Sequence, residues 1–120
     1  MFIETVEGKM RRSIIPRIRQ FVEDADDSGE GENADRPDGI VTGHELYRAL
    51  KQMFRSKKIE LPFTPKDLIR EANIQSGPLN GNDKERFVDV FSEKIILLQT
   101  SKPEYDKLAE TMFNDLAMPS

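Results

Sequence analysis

The chain has no cysteine, so disulfide bonds, thiolate catalysis and zinc–thiolate sites are all excluded. Long hydrophobic runs are also absent: the longest covers residues 95–98 and is far too short for a transmembrane helix. The N-terminal residues lack the positive start and the apolar centre of a signal peptide. We therefore expect an intracellular, cytoplasmic protein with no transmembrane segment.

Enzyme signatures are equally scarce. The sequence has one histidine, His44, and it contains neither a G-x-S-x-G nucleophile motif nor a G-x-x-x-x-G-K-[ST] phosphate loop. His44 stands beside carboxylates in the first turn of a predicted helix, and we interpret it as a surface residue. The net charge of −4 argues against a general nucleic-acid binder. The sequence thus predicts a protein that is not an enzyme and binds no nucleic acid.

What the chain does contain is a series of periodic apolar stripes. Its 120 residues, 37% of them hydrophobic, suffice for one domain with a modest core. Apolar residues recur at three- and four-residue spacing, which is typical of amphipathic helices, and no strand of any length is visible. We expect an all-α domain with helices at about residues 3–25, 43–57, 65–73, 82–98 and 101–118. Pro16 predicts a kink or a break in the first helix, because an interior proline removes a hydrogen bond.

Two helix starts carry capping signals. Thr64 precedes Pro65, a residue type favoured at the first helical position, and Asp67 follows at capping-box spacing. Asn82 has the corresponding relation to Glu85. We therefore expect the third helix to begin after Thr64 and the fourth to begin after Asn82.

The stretch between the first two helices is strongly acidic. Residues 23–38 hold eight acidic side chains against one base, and three glycines and a proline precede Ile40. This composition predicts a loop. Carboxylates held this close together repel one another unless a cation compensates them. The stretch therefore favours cation binding.

Two segments of the chain repeat one another. Residues 21–26 and 68–73 each consist of two apolar residues, two charged residues, an alanine and a small side chain with an oxygen atom. Each precedes a glycine-containing loop with an apolar residue near its end, Val41 or Leu79, and then a second amphipathic helix. In these features residues 14–98 resemble the EF-hand family, and specifically a single calmodulin-like lobe.

The resemblance implies an all-α, paired EF-hand lobe with an N-terminal helical extension and an extra C-terminal helix, in a single domain of residues 1–120. The first hand would span about 14–57 with an extended loop at 26–45, the second about 64–98, and the added amphipathic helix 101–118. In the second hand, amides and a glycine stand where ligands belong, and Pro78 replaces the turn glycine. Leu79 and Phe87 are also three residues too far apart. We expect this degenerate loop to be metal-free and to serve as a structural partner of the first.

For the first loop the resemblance implies one calcium site at most. Its oxygen ligands would be Asp26, Ser28, Asp38, the Ile40 carbonyl and Glu45. Asp24 and Thr42 are the alternative ligands, Thr42 through a water molecule. From Asp26 to Glu45 the loop has 20 residues, against about 12 in the family, so the surplus within residues 29–37 would bulge out.

Other interpretations of this loop stay open. A frame that begins at Asp24 ends at Asp35, but it places Gly31 where an apolar residue should pair with the second loop. A hybrid frame has the ligands Asp24, Asp26, Asp38 and Glu45. The ion could be magnesium, or no metal could bind. Thr42 and Glu45 also have the spacing of a capping box, which forms with or without an ion.

A paired EF-hand lobe presents an apolar groove to an amphipathic helix. The residues that would line or cover it are Leu46, Leu50, Met53, Phe54, Phe87, Phe91, Ile95 and Met112. The last helix could complete the core, occupy this groove until a target displaces it, or swap into a second copy to form a dimer.

The expected function is that of a small calcium-binding regulatory or light-chain-like protein. Its partner would be a helical protein segment, either amphipathic or IQ-like. The alternative is a calcium-independent helical adaptor in which both loops are degenerate. A calcium buffer is a third interpretation, but one imperfect site would bind too little calcium to suit that role.

Overall fold

In a computed structural model of the protein, residues 5–25, 41–58 and 60–113 are described, and they form an all-α arrangement. The α-helices are α1 (Val6–Asp24), α2 (Gly43–Lys57), α3 (Pro65–Glu71), α4 (Gly81–Ser101) and α5 (Leu108–Phe113), and a short 3-10 helix, Pro103–Tyr105, lies between α4 and α5. The predicted all-α class is confirmed. Among the helices of these described ranges, none combines the length and the apolar character needed to cross a membrane.

Helix α1 passes through Pro16 without interruption, so of the two predicted alternatives the break into two helices is wrong, and the kink stays a prediction. The buried residues of α1 lie on both sides of the proline: Ile14 precedes it, and Ile18, Phe21 and Val22 follow it. Tertiary packing of such an apolar face supplies most of the stability of a helix in a protein. Burial on both sides therefore outweighs the one hydrogen bond that proline removes.

Helix α4 begins two residues earlier than the sequence predicts. Its N-cap is Asn80, whose side chain accepts a hydrogen bond from the Asp83 amide at 2.7 Å. The Asp83 carboxylate in turn accepts one from the Asn80 amide at 3.1 Å. Glu85 instead pairs with Arg19 of α1 at 3.0 Å. Both Asn80 and Asn82 have capping-box spacing, and the loop that precedes α4 decides between them.

The predicted continuous helix from Ser101 is also wrong. Ser101 is the last residue of α4, and Lys102 is extended, with φ −132° and ψ 122°. The reason is Pro103, because a residue before proline is disfavoured in the helical conformation. The chain turns through the 3-10 helix and resumes as α5 at Leu108. Residues 114–118 of the predicted helix lie outside the described ranges.

The core is one apolar cluster in which α5 joins α1 and α4. The ring of Phe91 on α4 lies 5.5 Å from that of Phe87 and 6.0 Å from that of Phe113 on α5. Phe113 in turn meets Phe21 of α1 at 6.3 Å. The two pairs that involve Phe113 are edge-to-face, and each pair of this kind contributes about 0.5–1.5 kcal/mol beyond its burial. The aromatic chain therefore holds the last helix against the rest of the domain.

The start of α3 makes a pH-dependent contribution to stability. The Asp67 carboxylate accepts a hydrogen bond from the Thr64 amide at 2.9 Å, and the Thr64 hydroxyl accepts one from the Asp67 amide. The Thr64 amide, and after it the Thr64 hydroxyl, act as hydrogen-bond donors to this carboxylate and hold the pKa of Asp67 below its usual 3.8. A lowered pKa stabilises the folded state above pH 3.8, and this stabilisation is lost as the pH falls through the lowered pKa.

We therefore expect Asp67→Asn to flatten the acid limb of the stability curve. Urea unfolding of the variant between pH 6 and about pH 2.5 should show a smaller decrease in stability than the wild type. Asp106→Asn is the matched control, because Asp106 is an exposed acid outside any capping box. A decrease in Asp67→Asn equal to that of the wild type would contradict the prediction.

Candidate functional site

The two interhelical loops are joined by a short antiparallel bridge. The Leu79 amide donates to the Val41 carbonyl at 2.8 Å, and the Gly43 amide donates to the Gly77 carbonyl at 2.9 Å. Thr42 therefore stands opposite Pro78. Neither of these two residues donates a hydrogen bond across the bridge, so a proline fits at residue 78. The pairing sets Val41 and Leu79, the apolar residues that the sequence repeat singled out, beside each other.

The repeat extends through both flanking helices. Helices α1 and α3 end at the equivalent residues Asp24 and Glu71. The alanines that follow them are buried, Ala25 at 5% exposure and Ala72 at 0%. The described chain thus contains two matching helix ends that lead toward the bridge.

The outgoing helices match as well. Each has its N-cap one residue after the bridged apolar residue, Thr42 in α2 and Asn80 in α4. Each cap forms a capping box, Thr42 with Glu45 at the start of α2 and Asn80 with Asp83 at the start of α4. Asp83 is therefore the counterpart of Glu45. The sequence does contain a signal for Asp83, because its distance from Leu79 along the chain equals the distance of Glu45 from Val41. The wrong prediction of Asn82 as the N-cap concealed this match.

Among the predicted metal ligands, Asp26, Ser28, Asp38 and Ile40 lie outside the described residues. Glu45 is described, and its Oε1 accepts hydrogen bonds from the amide of Thr42 at 3.0 Å and from its hydroxyl at 3.1 Å. The Thr42 hydroxyl accepts from the Glu45 amide at 3.1 Å. The two residues therefore form the capping box that was the alternative interpretation.

Asp24 lies at the end of α1, where its Oδ1 accepts a hydrogen bond from Gln20 at 2.9 Å. Asp24 and Glu45 line the same cavity, of about 550 Å³, so the structure brings the two flanks of the acidic loop together. Their carboxylates are hard oxygen donors, which suits calcium. Within the described ranges, no group of three or more acidic or histidine side chains converges on one point. A calcium site would therefore need the predicted ligands of residues 26–40.

Between α3 and α4, an arginine joins the two ends of the loop. Arg86 donates from Nε to the Ala72 carbonyl at 2.9 Å and from a terminal nitrogen to the Asn73 carbonyl at 3.4 Å. The same guanidinium pairs with the Asp83 carboxylate at 2.5 Å. Carbonyl and carboxylate oxygens are the ligand types that calcium takes. The oxygens at the two ends of this loop thus already have a cation partner within the protein.

The residues predicted to line the groove do lie close together, but they are buried in the core or packed against it. Phe54 is half-buried and packs its ring 6.1 Å from that of Phe63. The other seven are at most 8% exposed: Leu46, Leu50, Met53, Phe87, Phe91, Ile95 and Met112. Helix α5 contributes four buried residues to the same cluster. In this structure the apolar faces of α2 and α4 are thus part of one core, to which α1 and α5 also contribute.

Sequence reasoning missed two residues of this region, Asp83 and Arg86. Asp83 was missed because the start of the fourth helix was predicted two residues too late. No local pattern indicates the contacts of Arg86, which connect residues 13 and 14 positions apart.

Comparison with family models, with curated proteins and with solved structures gives no match for this chain. The evidence on function therefore comes from the chain's own geometry, above all from the bridge between the two loops.

Proposed function

We propose that this chain is a paired EF-hand-like lobe, a small regulatory or light-chain-like protein that binds calcium at its first loop and a helical segment of a partner protein. The observation that carries the proposal is the bridge that joins Val41 to Leu79. It connects equivalent positions of a repeat that includes matching helix ends and matching capping boxes. Two helix–loop–helix units arranged in this way support a two-handed lobe.

The ligands of the proposed site are Asp26, Ser28, Asp38, the Ile40 carbonyl and Glu45. Calcium would neutralise the repulsion among the carboxylates of the acidic loop. Of these residues, Glu45 lies within the described ranges, and its Oε1 accepts hydrogen bonds from the amide and the hydroxyl of Thr42. To act as a ligand, its Oε1 would exchange the hydrogen bonds from Thr42 for the ion. Binding is therefore coupled to the cap of α2.

A calcium-independent helical adaptor is the second candidate. It is favoured by the commitment of Glu45 to the capping box and by the Arg86 guanidinium that bridges the second loop. In this alternative, the protein's own hydrogen bonds keep the two hands paired, and the lobe presents its surface whether or not calcium is present.

Calorimetric titration with calcium, in the presence of magnesium, separates the two candidates. We expect the wild type to release or absorb heat and Glu45→Gln to weaken binding by about tenfold or more, because a ligand charge is lost. The glutamine can still accept a hydrogen bond from Thr42, so the cap of α2 is retained. Asp83→Asn is the matched control in the second hand and should bind calcium as the wild type does. Absence of heat from the wild type at millimolar calcium would overturn the calcium site and leave the adaptor as the remaining candidate.

A further inference from the structure

One arginine of α4 reaches back to the end of α3. Arg86 donates to the backbone carbonyls of Ala72 and Asn73 at 2.9 and 3.4 Å. Ala72 is the C-cap of α3, and Asn73 has a left-handed φ of 55°, a conformation with which helices commonly end. Carbonyl groups at a helix end have no donor within the helix. Arg86 therefore supplies from α4 the donors that α3 lacks.

The same guanidinium is joined to the start of α4 through Asp83. One carboxylate oxygen of Asp83, Oδ1, pairs with Arg86 at 2.5 Å, and the other, Oδ2, accepts a hydrogen bond from the Asn80 amide at 3.1 Å. Asn80 directly follows Leu79, whose amide donates to the Val41 carbonyl in the bridge. A continuous series of contacts thus connects the end of α3 to the bridge.

The loop between these contacts receives the start of α2. The Gly43 amide donates to the Gly77 carbonyl at 2.9 Å, and the His44 amide donates to the Ser76 carbonyl at 3.2 Å. Glu45 follows directly in the first turn of α2. A group that fixes the backbone of the α3–α4 loop therefore also fixes the position of Glu45.

A guanidinium suits this place better than an ammonium. Its planar fork offers several N–H donors in fixed directions, and Arg86 directs them toward two carbonyls and one carboxylate. Lys94 also joins α4 to α3, but its ammonium pairs with the Glu71 carboxylate, which precedes the loop. Lys94 thus connects two helices, whereas Arg86 connects the backbone at the end of α3 to the cap of α4.

We propose that Arg86 is a built-in cation that positions the α3–α4 loop without a metal ion and, through the bridge, positions Glu45. Its guanidinium brings together carbonyl and carboxylate oxygens, the groups that a divalent ion collects in a binding loop. This inference rests on the proposed function where it assigns Glu45 to calcium binding. Arg86 is then a positioning residue, because it acts on Glu45 through the bridge.

Amide hydrogen exchange of the full chain, without calcium, tests this role. The amides of Gly43, His44 and Leu79, which we call the bridge amides, report on the loop pairing, and the Phe91 amide in the buried part of α4 reports on global stability. In Arg86→Ala, the bridge amides should exchange at least about tenfold faster relative to the Phe91 amide, because the loop loses charge-assisted hydrogen bonds.

Lys94→Ala is the matched control for Arg86→Ala. It removes a basic side chain that joins the same two helices, and the bridge amides should keep their relative protection. Circular dichroism melting verifies that both variants fold. If Arg86→Ala does not fold, Arg86→Lys replaces it. This variant retains the charge without the planar fork, and its bridge amides should exchange several-fold faster than those of the wild type.

Chemical rescue separates the cation from the bulk of the side chain. Millimolar methylguanidinium added to Arg86→Ala should bind in place of the missing side chain and slow the exchange of the bridge amides several-fold. Methylammonium at the same concentration should slow it less, because an ammonium lacks the planar fork. Neither compound should change the exchange in Lys94→Ala. A role of Arg86 in packing alone would respond to neither.

The outcomes separate this inference from the proposed function. Unchanged relative protection in Arg86→Ala, an equal loss in Lys94→Ala, or a loss that methylguanidinium does not reverse would each overturn the inference, while the proposed function stands.

Calorimetry with calcium tests the link to Glu45. Arg86→Ala should bind calcium several-fold more weakly than the wild type, because coupling through packed contacts is of this size. Equal affinities would overturn the link and with it the inference. Absence of heat from the wild type would overturn the proposed function instead, and the exchange results alone would then decide whether Arg86 positions the loop.

Discussion

Replacing Gly43 with alanine is expected to destabilise the protein by about 3–5 kcal/mol, because it separates the two loops. A Cβ at this position would lie 1.7 Å from the Gln75 carbonyl oxygen and 2.9 Å from a methyl carbon of Ile74. Backbone this close cannot give way without breaking the bridge. The Gly43–Gly77 and Val41–Leu79 hydrogen bonds, each worth about 1 kcal/mol, would be lost together with part of the burial of Val41 and Leu79.

Gly81→Ala is the matched control for this substitution. Gly81 is the first residue of α4, as Gly43 is of α2, but a Cβ at residue 81 would meet no atom within 4 Å. Alanine has a higher helix propensity than glycine by about 1 kcal/mol, so Gly81→Ala should be neutral or slightly stabilising. At Gly43 the same gain is outweighed by the contact with Gln75. We therefore expect a loss of stability in Gly43→Ala and no loss, or a slight gain, at the equivalent position in Gly81→Ala.

Urea unfolding and amide hydrogen exchange measure the effect. In Gly43→Ala the Leu79 amide, which donates to Val41, should lose its protection from exchange even where α4 remains folded. The proposed calcium site predicts a weaker calcium response of this variant as well, because the pairing aligns the two loops. Equal stabilities of Gly43→Ala and Gly81→Ala would show that the bridge contributes little to the fold.

The second large effect is expected from Phe91→Ala, which should lower the free energy of unfolding by about 3–5 kcal/mol. Phe91 is fully buried on α4, and its ring contacts those of Phe87 and Phe113. Truncation leaves a cavity where α5 meets α4 and removes the ring on which Phe113 packs. For a domain of this size, the melting temperature should fall by roughly 10–20 °C.

Leu97→Ala on the same helix is the control for Phe91→Ala. Leu97 is 63% exposed, so its truncation should change stability by no more than about 0.5 kcal/mol. Phe91→Leu, which retains most of the buried volume, should fall between the two. The amides of α5 should exchange faster in Phe91→Ala than in Leu97→Ala, because α5 loses an anchor. Equal losses of stability in Phe91→Ala and Leu97→Ala would contradict the assignment of Phe91 to the core.

Several local features of the fold could be predicted from the sequence. The bounds predicted for the second helix, Gly43–Lys57, are those observed, and Thr64 caps α3 as expected. Both features depend on interactions within a few residues: a capping box spans three positions, and an amphipathic stripe repeats every three or four. The apolar residues Val41 and Leu79 were also found, because the repeat marks them.

The start of α4 was predicted wrongly because two local patterns were equally good. Asn80 and Asn82 each precede an acid at capping-box spacing, and the bridge at Leu79 decides for Asn80 by holding the preceding chain extended. The break at Pro16 and the single C-terminal helix failed for related reasons. In α1, tertiary burial outweighed one missing hydrogen bond, and at Pro103 the conformation of the preceding residue outweighed a favourable apolar stripe.

By itself, the sequence determined the helical class, the position of the repeat and the identity of the acidic loop, because these depend on composition and on spacing along the chain. Only the tertiary structure decided which groups meet across long separations. It brought the Arg86 guanidinium to the Ala72 carbonyl, paired Val41 with Leu79, and packed α5 into one core with α1 and α4. Such contacts depend on how helices pack, and no local spacing encodes them.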